Sequence, residues 1–346
     1  MTLYCGVDFH ARVQTVCYCD MSEGEIHVRE LHHLKDDVRG FYAQFHGEVI
    51  VGIEASGYST WFEAMLEELG HQVWLGNTVE IRKRARRRQK TDRRDAELIL
   101  DLLLKEEFPR VHRPSASSRE VLQMLRYRHR LVRMRTMVKN SLQALAINAG
   151  LALKSQLLTR GGRQRLREAP LSGSMAEQRE QWLSLLEELE QRVEPLNDWL
   201  QQKAASDARV VRLRTQPGIG LLTSLGLVHT LEPVTRFSNS RKVVAYVGLD
   251  PVERSSAERK RFQGISKEGS PLMRFFLGEA AHLASRFDPE LKRFYLRLAY
   301  RRGPQKAKVA VARKLLVRSF IMLRDAVDYA EFHRRGVEVR PARKAQ

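Results

Sequence analysis

Four acidic residues in the first hundred positions, Asp8, Glu54, Asp92 and Asp95, have the type and placement for metal-assisted phosphoryl chemistry. Asp8 closes a short apolar run, LYCGVD, and Glu54 closes another, VIVGIE. In each run a glycine, Gly6 or Gly52, stands two residues before the acid. If both runs are strands, side-chain alternation puts acid and glycine on one face of a sheet, and the glycine leaves room beside the acid. Asp92 and Asp95 open a helical stretch, TDRRDAELILDLLLK, with Thr91 placed to cap it. Their i, i+3 spacing puts both on one helix face, and acids in a first turn suit the helix dipole. Hard cations such as Mg²⁺ take oxygen ligands, and two ions about 4 Å apart can activate an attacking oxygen and stabilise a leaving one. Taken singly, Asp92 is also an ordinary helix-start acid and Glu54 an ordinary strand-end acid. The grouping favours a joint site.

The elements needed to position these acids follow from the same stretch. Residues 3–8, 14–19 and 26–31 have β-rich composition with turn residues between the second and third, which predicts three antiparallel strands. Residues 34–45 have helical spacing, with Leu34, Val38, Phe41 and Phe45 on one face. Residues 48–53 form a continuous apolar run expected of a strand covered on both faces. An amphipathic helix is expected over 59–69 and a fifth strand over 72–75. The order β-β-β-α-β-α-β-α matches an α/β ribonuclease-H-like domain, three antiparallel strands extended by two parallel ones. There the first and fourth strands are parallel neighbours. Asp8 and Glu54 then lie side by side at the C-terminal strand ends, where open α/β sheets place their sites.

Composition points to the partner. The 346 residues carry a formal net charge of +19, with an isoelectric point near 10.2, an excess that favours polyanions and nucleic acid first. No apolar run approaches the roughly 20 residues that span a bilayer, and the start, MTLYCGVDFH, has neither the charged lead-in nor the apolar stretch of a signal peptide. The expectation is a soluble protein of the cytoplasm or nucleus with no membrane partner. The densest cationic run is IRKRARRRQKTDRR, from Ile81. Arg82, Lys83, Arg84, Arg86, Arg87, Arg88 and Lys90 are its candidate phosphate contacts, because such density repels itself unless phosphates neutralise it. Cys5, Cys17 and Cys19 are odd in number and lack a CxxC pair, so they read as small buried hydrophobes. None of the eleven histidines shows a metal-binding HxH or HxxxH spacing; His10, two residues past Asp8, reads as structural or as a neighbour of the acids' own shell.

Beyond a linker at 106–118, helical stripes appear at Val121, Leu122, Leu125, Leu131 and Met134, and at Trp182, Leu185, Leu186, Leu189 and Val193. They predict an antiparallel helical pair, a dimerising arm or a plain bundle, with Pro195 kinking or interrupting the second helix. A Pro-Gly-Ile-Gly turn at 217–220 between helical runs resembles a helix-hairpin-helix. The amides around Gly218 and Gly220 are candidate phosphate contacts, the alternative being a simple packing turn. The expected domains are 1–108 (carboxylates), 109–206 (helical or coiled-coil), 207–330 (a mainly α C-terminal domain) and 331–346, a basic disordered tail.

The segments GVDFHARVQTVCYCD, VIVGIEASGYSTWF and KTDRRDAELI resemble the DEDD catalytic domain of insertion-sequence transposases related to Piv-like DNA invertases. RTQPGIGLLTSLGL and FSNSRKVVAYVGLDPVERSSAERKRFQGISKEGSPLMRFFL resemble the family's second part, so the likeness runs over roughly 3–326. The resemblance implies a prokaryotic recombinase that inserts a circular element intermediate into a target. It implies guidance by a structured noncoding bridge RNA pairing with donor and target DNA. It implies a tetramer, a dimer of dimers, with each active site shared between protomers. Asp8, Glu54, Asp92 and Asp95 would hold Mg²⁺, two ions per site, with Mn²⁺ able to substitute. A serine in ERSSAERKR would form a covalent 5′-phosphoserine link. Ser256 matches that serine, with Ser255 the alternative; the family has Gly next, where this chain has Ala257. Without the resemblance both are ordinary loop serines. The competing readings are a RuvC-like junction resolvase or nuclease, which needs the acids but no serine, and a nucleic-acid-binding structural protein.

Overall fold

The computed structural model describes residues 2–22, 24–34, 37–85, 91–151, 156–157, 159–256 and 259–338, with the backbone alone at 253–256, 259–263 and 337–338. Its contacts divide the chain into two compact units, Met1–Arg113 and Pro114–Gln346.

The first unit is built on a five-stranded mixed sheet. Strands β1 (Thr2–Phe9), β2 (Val13–Asp20) and β3 (Ile26–His32) are followed by α1 (Asp37–Ala43), β4 (Glu48–Glu54), α2 (Thr60–Glu68), β5 (Gln72–Gly76), α3 (Thr78–Arg84) and α4 (Asp92–Leu104). The strand order is β3-β2-β1-β4-β5. β1 pairs antiparallel with β2 and parallel with β4, and β4 pairs parallel with β5. This is the mixed arrangement that the alternation of strand and helix signals implies, consistent with a ribonuclease-H-like domain.

Alternation along β1 separates two cores. Leu3, Cys5 and Val7 face a cluster with Val38, Phe41 and Tyr42 of α1 and Phe62, Met65 and Leu66 of α2. On the opposite face Tyr4 joins clusters supplied by α4 through Ala96, Ile99, Leu100 and Leu103. Each fully buried Leu, Ile or Phe here contributes about 1.5–3 kcal/mol. The three cysteines are free and buried, as small strand hydrophobes. Helix α1 starts only at Asp37, after a turn at His33 and Leu34. Leu34, expected on its apolar face, is therefore 91% exposed. Residues 109–113, read as part of the linker at 106–118, belong to this unit. Val111 donates to the Leu75 carbonyl at 2.8 Å and Asn77 to that of Pro109 at 2.9 Å, and Arg113 pairs with Glu63 of α2 at 2.6 Å.

The second unit is mostly helical. It comprises α5 (Ala116–Asn148), α6 (Arg160–Glu168), α7 (Gly173–Ala205), α8 (Ala208–Leu213), α9 (Leu221–Leu231), α10 (Ser240–Val247), the hairpin β6 (Pro251–Ser256) and β7 (Arg259–Ile265), α11 (Pro271–Phe287), α12 (Pro289–Arg302), α13 (Pro304–Arg324) and α14 (Tyr329–Glu338). Helices α5 and α7 are antiparallel: Glu120 meets Lys203, Arg128 meets Asn197 and Lys139 meets Glu190. Helix α7 runs through Pro195 without interruption, because its stripe from Leu183 to Leu200 stays buried. Met134 is 41% exposed and stands off this core. Helix α14 reaches Glu338, so the segment expected to be disordered from 331 is helical to that point; 339–346 lie outside the described residues. Among the described residues no helix is long and apolar enough to cross a membrane.

Candidate active site

The site is assembled at the C-terminal ends of β1 and β4. The last parallel pairs of these strands are Gly6 with Gly52 and Val7 with Ile53. Asp8 and Glu54 are the next residue on each. Glu54 in turn pairs with Gly76 of β5 and, like Asp8, is half-buried.

Helix α4 brings the other two acids. Thr91 caps it, accepting from the Arg94 amide at 3.3 Å, which puts Asp92 and Asp95 in its first turn. The glycines on the acids' face decide how closely this helix approaches. A Cβ on Gly6 would lie 2.4 Å from the Leu100 nitrogen and 2.5 Å from the Ala96 carbonyl oxygen, and one on Gly52 would lie 2.8 Å from Leu103 Cδ1. The space expected beside each acid is therefore filled by α4 itself. Ala96 sits against Gly6, and the preceding turn carries Asp92 and Asp95 toward Asp8.

Electrostatics record that convergence. Burial pushes the Asp8 carboxyl above the usual carboxylate range, the charges of Asp95 and Asp92 push it the same way, and His10 opposes them. His10 Nε2 lies 3.2 Å from Asp8 Oδ2 and 3.6 Å from Asp92 Oδ1. Asp8, His10 and Asp92 each offer a ligand atom within 4.8 Å of the other two. A donor set of carboxylates with one imidazole fits a divalent cation, whose charge would relieve their mutual repulsion. His10 is the residue that sequence reasoning undervalued. The available signal was its place two residues past Asp8 at a strand end, which returns it to the same face.

The cationic candidates are spread more widely. Arg82, Lys83 and Arg84 lie exposed on α3. Lys83 pairs with Glu80 at 2.7 Å, and Arg84 donates to the Glu107 carbonyl. Arg86, Arg87, Arg88 and Lys90 lie outside the described residues. Gly218 has φ +90°, and a Cβ there would lie 2.6 Å from the Ala280 carbonyl oxygen of α11, so backbone conformation and packing both call for this glycine. Gly220 is exposed, at the start of α9, with open space where a Cβ would stand.

Ser255 and Ser256 are not in a loop. They end β6, where Ser255 pairs with Lys260 and Ser256 with Arg259. This hairpin belongs to the second unit and the four acids to the first.

Comparison with known proteins gives these features a family. Residues 210–296 match the model described as the transposase IS116/IS110/IS902 family, and residues 5–147 match a transposase model of the IS110 DEDD type. The first match contains the serine hairpin; the second contains all four acids. A protein of Pseudomonas aeruginosa named "Probable family 20 transposase" is 30% identical over 291 residues, covering 81% of this chain and 83% of that protein. The transposase for insertion sequence element IS1111A of Coxiella burnetii is 29% identical, over 65% of this chain and 64% of its own length. That for element IS1328 of Yersinia enterocolitica is 27% identical, over 68% and 70%. A DEDD-type domain points to divalent-metal use. The chain belongs to the IS110 family of insertion-sequence transposases, enzymes that cut and transfer DNA strands.

Proposed function

We propose that this transposase cuts and rejoins DNA through a Mg²⁺-binding cradle of Asp8, Glu54, Asp92 and Asp95 together with a serine nucleophile, Ser256. The observation that carries the reading is the convergence of Asp8 and Asp92, each with an oxygen within 4.8 Å of the other and of the His10 imidazole, with Asp95 in the same first turn of α4. When bound, Mg²⁺, two ions per cradle or Mn²⁺ in its place, supplies charge neutralisation at the phosphate. The chain's own residues do the rest. Asp8, Glu54, Asp92 and Asp95 would hold the ions, and α4 sets the spacing of Asp92 and Asp95 against Asp8. The Ser256 oxygen attacks phosphorus, the bond from phosphorus to the 3′ oxygen breaks, the serine proton leaves to a base, and the departing 3′ oxygen takes up a proton. The products are a 5′-phosphoserine link and a free 3′-hydroxyl. Attack by another strand's 3′-hydroxyl reverses the step and restores the serine.

The resemblance to the family supplies the wider setting. A structured noncoding bridge RNA selects donor and target DNA, four protomers act as a dimer of dimers, and each serine works with a cradle of another protomer. Arg82, Lys83, Arg84, Arg86, Arg87, Arg88 and Lys90, with the turn at Gly218 and Gly220 as a helix-hairpin-helix, contact nucleic-acid backbone. The protein acts in the prokaryotic cytoplasm, at the nucleoid when bound to DNA. The domains would be the carboxylate domain, 1–108 with 109–113 packed onto it, the helical region to 206 and the C-terminal domain 207–330, with α14 running into the basic tail.

Denaturing gels of the protein on a suicide DNA substrate with guide RNA test the chemistry. The wild type is expected to form a Mg²⁺-dependent adduct that disappears in Ser256→Ala and falls at least about a hundredfold in Asp8→Ala. An adduct lost only in Ser255→Ala moves the nucleophile by one residue. Mg²⁺-dependent cleavage without any adduct replaces this mechanism with that of a RuvC-like resolvase.

A further inference from the structure

We infer that His10 is a nitrogen ligand of the metal cradle and biases it toward a first-row transition ion, Mn²⁺ ahead of Mg²⁺. The inference rests on the cradle reading above and adds a ligand to it.

The backbone holds His10 in place: its amide donates to the Val13 carbonyl at 3.0 Å, closing the turn between β1 and β2. Its Nε2 sits 3.2 Å and 3.6 Å from oxygens of two acids on different elements, the end of β1 and the start of α4. Adjacent corners of an octahedron with metal–ligand bonds of about 2.1 Å are about 3 Å apart, so these separations suit three ligands of one ion. The fold itself gains little from the contact. The His10 and Asp92 side chains are 51% and 62% exposed, and exposed ion pairs contribute about 0–1 kcal/mol. As a neutral donor the imidazole also adds no repulsion to a cradle that already gathers Asp8, Asp92 and Asp95. Mg²⁺ strongly prefers oxygen, whereas nitrogen donors raise affinity along the series from Mn²⁺ to the later divalent ions.

Mn²⁺ alone, added to the full chain, is the probe, and pulsed electron paramagnetic resonance is the readout. Wild type is expected to show ¹⁴N modulation of directly bound imidazole. In His10→Gln that modulation disappears and Mn²⁺ affinity falls about tenfold or more, while Mg²⁺ affinity changes little. Mn²⁺ binding that depends on Asp8 but carries no ¹⁴N modulation in the wild type overturns the role of His10 and leaves the cradle standing. Modulation that persists in His10→Gln overturns it equally. Absence of any Mn²⁺ binding that is lost in Asp8→Asn overturns the cradle and, with it, the ligand. The wild-type spectrum decides the matter even if the variant folds poorly.

Discussion

At Asp8 folding and the proposed metal site pull in opposite directions. The residue sits half-buried with two further carboxylates close enough to raise it. A raised carboxyl means that the folded state holds the proton more tightly than the unfolded state, so the repulsion grows as pH rises through the folded value. Part of it is offset by His10, 3.2 Å away. An amide at this position keeps the shape and removes one negative charge. Metal-free Asp8→Asn is therefore expected to be more stable than the wild type at neutral pH, by about 0.5–2 kcal/mol, the usual gain from relieving a functional site. Urea midpoints in the presence of a chelator measure this. Saturating Mg²⁺ or Mn²⁺ should reverse the order, because a cation that binds only the native wild-type site stabilises only that protein.

At the scale of elements, two contacts set the geometry. The first is between β1 and α4, where Gly6 meets helix backbone rather than a flexible side chain. Gly6→Ala cannot be absorbed by a rotamer change. The helix must move, with an expected cost of about 1–3 kcal/mol and a displacement of Asp92 and Asp95 from Asp8. Loss of Asp8-dependent Mn²⁺ binding at a temperature where the variant remains folded is the check. The second is the junction of α11 and α12. Asp288, 2% exposed, accepts from the Leu291 amide at 2.9 Å, from Arg318 at 2.7 Å and from the Tyr329 hydroxyl at 2.6 Å. Burial alone would raise this carboxyl, but the donors from Tyr329, Leu291 and Arg318 outweigh it and hold it below the usual range. Its stabilising contribution is complete above the unfolded value of about 3.9 and is lost as pH falls through the lower folded value. Asp288→Asn removes one of the two carboxylates paired with buried Arg318, which keeps Glu290 at 2.6 Å, and weakens a charge-assisted hydrogen bond, an expected loss of about 1–3 kcal/mol. Denaturation midpoints across pH should also decline less steeply in acid for this variant.

At the scale of the molecule, charge dominates. With +19 formal charges, association with duplex DNA is expected to be steeply salt-dependent. If about six phosphates are engaged, affinity falls on the order of a thousandfold between about 50 and 200 mM salt. Fluorescence anisotropy on an arbitrary duplex measures the slope. Replacing Arg82, Lys83 and Arg84 together by alanine should make the log–log slope shallower by at most about three, one unit for each phosphate contact removed. An unchanged slope would assign these exposed cations to solvent.

Much of the acid-bearing unit was legible in the amino-acid sequence, because it rests on local rules. Strand alternation put Asp8 with Gly6 and Glu54 with Gly52, and a capped first turn put Asp92 and Asp95 on one helix face. The order of strand and helix signals implied the mixed sheet and the adjacency of β1 and β4. What local rules could not contain was contact between distant segments. Leu34 has the spacing of a core residue, yet the turn before α1 leaves it in solvent. Pro195 signals a break, yet packing of the α7 stripe carries the helix through it. Ser255 and Ser256 have loop composition, yet they end a strand whose pairing depends on Arg259 and Lys260. The two glycines promised room beside the acids, and only the tertiary structure decided what fills it. Helix α4 packs backbone to strand at Gly6, and that approach, with the turn that returns His10 to the same face, joins separate acids into one donor set. Periodicity determines which way a side chain points; the distance between two such side chains depends on how closely their elements pack.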